Sequence, residues 1–230
     1  MEAFIAEHLK NLSELFIADK GGFIFEPKIG VHEQVAEFDF ESLYPNIMRK
    51  YNLSAETIRC SCCCQNNNND IADSKLRVPE LGYHICQRRI RIVPTSLKIL
   101  LNKRAKYKEL RNNTESSNSS SKSSELKAIY DARYSILKWV LVTSFGYLSF
   151  NNAKFGRIDA HIAVCAFDRL VLLQTAKIAE RHGFRVLHGI VDSIWVKKNE
   201  EEEEESHSCD VNVEKGKSSE IGQSIILPIN

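Results

Sequence analysis

Two aspartates stand where a plain surface turn would not ordinarily put them. Asp192 sits in "LHGIVDSIW" (187–195), just beyond a glycine turn between two apolar strand-like runs, with Ile190 and Val191 leading into it. Asp39 lies far upstream in "QVAEFDFESLYP" (34–45), whose first half alternates: Val35, Glu37 and Asp39 face one way, Ala36, Phe38 and Phe40 the other. An acid at the end of one strand can meet an acid on its neighbour, and two such carboxylates form half of a hard-oxygen site for a divalent ion. Taken singly, each would read as a strand-end cap or a turn residue.

A second group is cationic. Between Arg88 and Arg111 there are nine Lys/Arg and one acid, Glu109. Arg104, Lys108 and Arg111, spaced by four and three, share one face of a helix. Lys138, on the next helix, is expected to face the same groove. Arginine offers a fork to phosphate oxygens and lysine a mobile point charge, so the segment is a candidate polyanion surface, the plainer reading being a solvated basic face. The six glutamates 200–205 conceal this excess within a net charge of +1. A third group is Cys60, Cys62, Cys63 and Cys64 with His84 or Cys86. Thiolates suit zinc or an iron–sulfur centre, but C-x-C-C-C lacks the two-residue spacer of a zinc knuckle, and a reduced cysteine-rich loop is the preferred reading.

The elements that must position these groups follow from periodicity. Residues 1–20 read as an amphipathic helix, with Phe4, Ile5, His8, Leu9, Leu12 and Leu15 near helical spacing. Tyr44-Pro45 opens a short helix, proline being tolerated in a first turn. "PTSLKILLNKRAKYKELRNN", from Pro94, is a long helix; "NNTESSNSSSKSS" (112–124) is a flexible connector; a second helix runs from about Glu125 to Val142. The two form an antiparallel helical hairpin, with Gly146 ending the region. "RIDAHIAVCAFDRLVLLQTAKIAERHG" (157–183) is a third long helix capped by Gly183, followed by a β-hairpin made of "FRVLH", a turn and "DSIWVK". "CSCCCQNNNND" and the acidic tail are polar inserts. The picture is an α+β platform, interrupted by a helical hairpin, that contains both Asp39 and Asp192.

Composition is compatible with this. A 43% hydrophobic chain of 230 residues has ample core for one large or two small domains. No apolar stretch approaches the roughly 20 residues of a bilayer span. "MEAFIAEHLKNL" has neither a basic n-region nor an apolar h-region, so secretion is not expected, and the uneven cysteines point to a reducing, cytoplasmic setting.

Three stretches together resemble family B DNA polymerases. "DFESLYPNIM" is similar to the family's first polymerase motif, "KWVLVTSFGY" (138–147) to the second and "HGIVDSIWV" to the third, in family order; "IVPTSLKILLNKRAKYK" and "NNAKFGRIDAHIAV" match the stretches between. The resemblance covers about residues 26–198. It implies a palm, an antiparallel sheet with packed helices, interrupted by a fingers hairpin. The division would be 1–87 palm with the cysteine-rich loop, 88–148 fingers, 149–199 palm, and 200–230 an acidic and polar tail, without a proofreading exonuclease domain or thumb. It implies DNA polymerisation by two Mg²⁺ ions (or Mn²⁺) held by Asp39, Asp192 and the Phe40 carbonyl. Arg104, Lys108 and Lys138 would bind the dNTP triphosphate, Arg111 being an extension on helical spacing. Tyr44 would lie beneath the deoxyribose and exclude a 2′-hydroxyl, and Gly146, Tyr147 and Ser193 would contact DNA. Implied partners are primer–template DNA, dNTPs and a second polypeptide supplying the thumb, with a nucleoid-associated location.

The chain departs from the family's pattern at named positions. The first aspartate of the third motif is Ile190; the usual Asn-Ser of the second is Val142-Thr143, and its tyrosine before glycine is Phe145. These changes resemble a diverged archaeal branch. They leave two expectations: a polymerase, or a catalytically weakened relative serving as a DNA-binding or assembly subunit.

Overall fold

The computed structural model describes residues 11–60, 77–116, 121–150 and 152–199. Their elements, in chain order, are α1 (Leu12–Ala18), β1 (Ile24–Phe25), β2 (Val35–Asp39), α2 (Leu43–Lys50), α3 (Ile92–Ser116), α4 (Ser121–Ser149), α5 (Ile158–Arg181), β3 (Phe184–Ile190) and β4 (Ser193–Lys198). The four strands form one sheet in the order β1-β3-β4-β2, with every neighbouring pair antiparallel. The expected α+β class, an antiparallel sheet with packed helices, is what the chain adopts.

By packing, the chain divides into two compact units: Met1–Gly21 with Ser42–Phe167, and Gly22–Glu41 with Asp168–Asn230. The second unit holds the sheet. Leu172 and Ala176 of α5 bury their side chains against Val186, Ile194 and Val196, and Phe23, Phe25, Phe38 and Phe184 pack around them. Phe38 therefore occupies the inward positions of β2, as alternation predicts, and Asp39 emerges on the opposite face. The first unit holds α1 to α4 and the start of α5, with Ile47, Met48, Leu97, Leu141, Leu148 and Ile162 among its buried side chains.

Several expectations are corrected. The helices reach into the supposed connector, α3 continuing to Ser116 and α4 beginning at Ser121. Nothing in 112–124 is Gly or Pro, and the modest propensity deficit of Ser and Asn does not stop a helix already nucleated by packing. Gly146 does not end α4, which runs on to Ser149. Leu141 and Leu148, buried on either side of it, hold the helix against a glycine penalty of about 1 kcal/mol. The hairpin turn is not at the glycine either: Gly189 lies inside β3, and the turn is Val191-Asp192. A Cβ at Gly189 would come within 2.6 Å of the Phe25 ring, so the residue is small to admit β1, which sequence reading had not recognised as a strand. Of the N-terminal helix, only Leu12–Ala18 falls within the described residues; Phe4, Ile5, His8 and Leu9 lie outside them. No described helix is long and apolar enough to cross a membrane.

Candidate active site

Strand register brings the two acids together. β2 pairs with β4 so that Asp39 lies opposite Ser193, and β3 pairs with β4 so that Ile190 also faces Ser193. Val191 and Asp192 are thus the two-residue loop of the hairpin, at the strand end that carries Asp39. The Ser193 hydroxyl donates to Asp39 Oδ1 at 3.1 Å, and the Phe40 N–H donates to the Asp192 carbonyl at 2.8 Å. Val191 has φ of 50°, an unfavourable region for a β-branched residue, and its N–H is held by the Phe23 carbonyl at 3.0 Å. Asp192 is exposed as a residue, yet the atoms crowding its carboxyl, and then the charge of Asp39, raise its pKa above the usual range; its own backbone N–H pulls the other way.

A third acid stands behind them. Asp168 precedes Leu172 by one turn of α5 and shares the face that packs on the sheet. From Arg181 back to Asp168 the helix rises about 20 Å, and β3 from Phe184 to Ile190 also spans about 20 Å, which sets Asp168 level with the end of the hairpin. Asp168 is 0% exposed, and neither carboxylate oxygen has a hydrogen-bond partner among the described residues. Burial, then the charge of Asp192, pushes its pKa up to about 7, against a smaller opposing pull from Arg169. Asp168 and Asp192, whose ionised forms are disfavoured, make with Asp39 a hard-oxygen donor set that suits a divalent cation. Asp168 was missed because an acid in "AVCAFDRLVLL" looks like part of a helix's polar side. Its spacing of four from Leu172 and eight from Ala176 was the available signal.

The cations belong to the other unit. Arg104 is buried; its Nη1 donates to the Ser42 hydroxyl and its Nη2 to the Tyr134 hydroxyl at 2.8 Å. Its guanidinium carbon lies 4.6 Å from the centre of the Tyr134 ring, and that of Arg111 lies 5.0 Å from the same ring. The two arginines therefore do share a face of α3, turned toward α4, as their spacing implies. Arg111 also pairs with Asp131 at 3.5 Å. Lys108 is half-buried on α3, and Lys138, one turn after Tyr134 on α4, is exposed. Tyr134 and Asp131 were not singled out from the sequence, because what they do depends on how α3 and α4 pair.

Comparison with known proteins decides the lineage. The model of DNA polymerase family B matches residues 4–218. The chain belongs to family B. It is 35% identical over 191 residues to DNA polymerase 2 of Saccharolobus solfataricus, covering 83% of this chain and 25% of that protein. It is 34% identical over 194 residues to a DNA polymerase of Archaeoglobus fulgidus, covering 84% and 23%. Among solved structures, the family B DNA polymerase from the hyperthermophilic archaeon Pyrobaculum calidifontis superposes with a TM-score of 0.57 at 30% identity, over 79% of this chain and 22% of that one. The chain thus spans about a quarter of the length of these relatives.

The other positions singled out by the family B resemblance are distributed as follows. Ile190 ends β3 and is 39% exposed, paired with Ile24 and Ser193, so the missing acid has left an apolar side chain beside the site. Tyr44 is half-buried at the start of α2, its ring centre 4.3 Å from that of Phe145. Ser42, the N-cap of α2, is left-handed (φ 53°, ψ 48°), and its hydroxyl is used by Arg104 rather than by the helix. Gly146 lies in α4 with nothing within 4 Å of the place a Cβ would take, and the Tyr147 hydroxyl accepts the Phe155 N–H at 3.4 Å. Cys60 Sγ lies 3.7 Å from His84 Nε2, and Cys86 is buried nearby in sequence; Cys62, Cys63 and Cys64 lie outside the described residues.

Proposed function

We propose that this family B chain carries nucleotidyl-transfer machinery for template-directed DNA synthesis, adding a deoxynucleotide from a dNTP to a primer 3′-hydroxyl. The observation that carries the reading is the convergence of Asp39 and Asp192 at one strand end, reached from distant segments through the β2–β4 register. Bound Mg²⁺ or Mn²⁺, two ions per site, would supply activation of the primer hydroxyl and stabilisation of the departing pyrophosphate. Asp39 and Asp192 would hold those ions with the Phe40 carbonyl, and Ser193, bonded to Asp39, fixes the carboxylate's orientation while facing DNA. Lys108 and Lys138 attract the triphosphate. Arg104, tied to Ser42 and Tyr134, holds the start of α2 so that Tyr44 presents a fixed edge to the sugar and excludes a 2′-hydroxyl. Gly146 and Tyr147 serve the template side. Primer–template DNA and dNTPs are the partners, and the palm and fingers divisions at 1–87, 88–148 and 149–199 describe these roles. Contacts with DNA are to phosphates, and binding falls steeply with salt.

One observation favours a second reading, a catalytically weakened DNA-binding or assembly subunit. Ile190 contributes no charge beside the two acids. Primer extension by the purified chain with Mg²⁺ and dNTPs, beside Asp39→Ala and Asp192→Ala, separates the two. Extension lost in both variants supports the polymerase. Primer–template binding without extension in the unaltered chain supports the subunit, and extension indifferent to both substitutions removes the site assignment altogether.

A further inference from the structure

In the helical unit, three side chains offer one ligand atom each to a common point. They are Asp19, the C-cap of α1, and His161 and Cys165, one turn apart on α5. Their ligand atoms all lie within 4.8 Å of one another. Asp19 Oδ2 is 3.9 Å from His161 Nε2. The outer atoms are already committed: Asp19 Oδ1 accepts the Gly21 N–H at 3.2 Å, and His161 Nδ1 lies 3.4 Å from the Phe145 carbonyl. A carbonyl only accepts, so that contact places a proton on Nδ1. Nε2, the ring's other nitrogen, lies toward a carboxylate oxygen and a cysteine sulfur, where it can serve as a metal ligand. One oxygen, one nitrogen and one sulfur ligand atom thus converge on one point.

We propose that Asp19, His161 and Cys165 bind a transition-metal ion of the Zn²⁺ class in a tetrahedral site, with solvent as fourth ligand. The donor set of one oxygen, one nitrogen and one sulfur suits a borderline-soft ion and does not suit Mg²⁺. Tetrahedral bonds of about 2.0–2.3 Å put ligand atoms roughly 3.3–3.7 Å apart, so the widest pair closes by about 1 Å on binding. His161 and Cys165, at i and i+4, lie on one face of a helix whose backbone is rigid, and the Phe145 carbonyl fixes the imidazole's tautomer as outer-sphere partners of ligating histidines do. Cys165 is 2% exposed, whereas Asp19 is half-buried, so water reaches the ion from the α1 side. The ion would tie α1 to α5 beneath an aromatic stack. His161 stacks on Phe145 at 4.1 Å, and Phe145 packs on Tyr44 at 4.3 Å. Metal occupancy thereby sets the rigidity of the platform under Tyr44.

Cobalt substitution tests this on the full chain, stripped of metal by a chelator and loaded with Co²⁺. The expected spectrum has tetrahedral d–d bands and a near-ultraviolet thiolate-to-metal band. Both persist when Cys62, Cys63 and Cys64 are changed together to Ser, and both vanish in Cys165→Ala. Zn²⁺ at a hundredfold excess over its Kd raises the Tm of the unaltered chain by about 5–10 °C, and His161→Phe, which keeps a stacking ring, removes that shift. A thiolate band or Zn²⁺ shift that survives both Cys165→Ala and His161→Phe, or no binding at all, overturns the proposal and leaves an Asp19–His161 ion pair. Co²⁺ spectra and the Zn²⁺ shift are read without DNA or dNTP, whereas Asp39→Ala and Asp192→Ala are read by primer extension, so failure of this proposal and failure of the polymerase reading are told apart.

Discussion

At the end of the β3–β4 hairpin, like charges are held together; between α3 and α4, charges are held against an aromatic ring, hydroxyls and a carboxylate of opposite sign. Asp39 raises the pKa of Asp192, Asp192 raises that of the buried Asp168, and Val191 keeps the loop at a positive φ. Arg104 and Arg111, by contrast, lie over the Tyr134 ring, one bonded to Ser42 and Tyr134 and the other paired with Asp131. Uncompensated charge at fixed positions is a feature to be completed by something absent from the chain, whereas compensated charge builds the chain itself. On this contrast the acids are the groups we propose for chemistry. The arginines belong first to the architecture of the helical pair, and Lys138, exposed on α4, is proposed for direct contact with phosphate.

The comparison is broken most directly at the acids. Asp39→Asn and Asp192→Asn should each lower single-turnover primer extension by a thousandfold or more, on the order of 4 kcal/mol, since each removes a fixed ligand charge. A residual rate within tenfold of the parent would return both acids to the class of turn residues. Next in size is Asp168. Its folded pKa of about 7 lies above the ordinary 3.8, so the folded chain binds more proton than the unfolded chain across that window. Stability without divalent ions should fall as pH rises from about 4 to 7 and then level off. Asp168→Asn should flatten that slope and stabilise the chain at pH 8 by roughly 2–4 kcal/mol in urea denaturation. A slope that persists in the variant would trace it to another group.

Smaller effects sharpen the other side. Tyr134→Leu removes the ring beneath two guanidinium groups and the hydroxyl that accepts from Arg104, and should cost about 1–3 kcal/mol of stability with little change in the KM for dNTP. A variant of unchanged stability but raised KM would make the arginines substrate groups instead. Smallest is Val191→Gly, where the relief of positive φ should stabilise the apo chain by about 1 kcal/mol. Equal denaturation midpoints for parent and variant would show that the hairpin turn stores no strain.

Much of the fold is legible along the chain. β2, α2, α3, α5 and the hairpin follow from alternation, from helical spacing and from Pro45 and Gly183 near element ends. What failed was punctuation. Gly146 and Gly189 looked like stops, but buried leucines carry α4 through the first and the Phe25 ring requires the second. The polar run after Asn112 looked like a connector because its composition is poor in core residues, although nothing in it breaks a helix. Of the candidate site, the candidacy of Asp39 and Asp192 and the shared face of Arg104 and Arg111 were readable, while Asp168, Tyr134 and Asp131 were not.

The division has a physical cause. Side-chain direction repeats every two residues in a strand and about every 3.6 in a helix, so the identity of elements, the face a residue takes and the three motifs that mark family B lie in neighbouring residues and can be read there. Which residues then touch depends on contacts between segments separated by a hundred residues or more. Strand register brought Asp39 to Ser193 and Asp192, helix-on-sheet packing set Asp168 behind them, and the docking of α1 brought Asp19 to His161 and Cys165. A one-residue slip in that register would leave every local pattern intact and turn Asp39 toward the core.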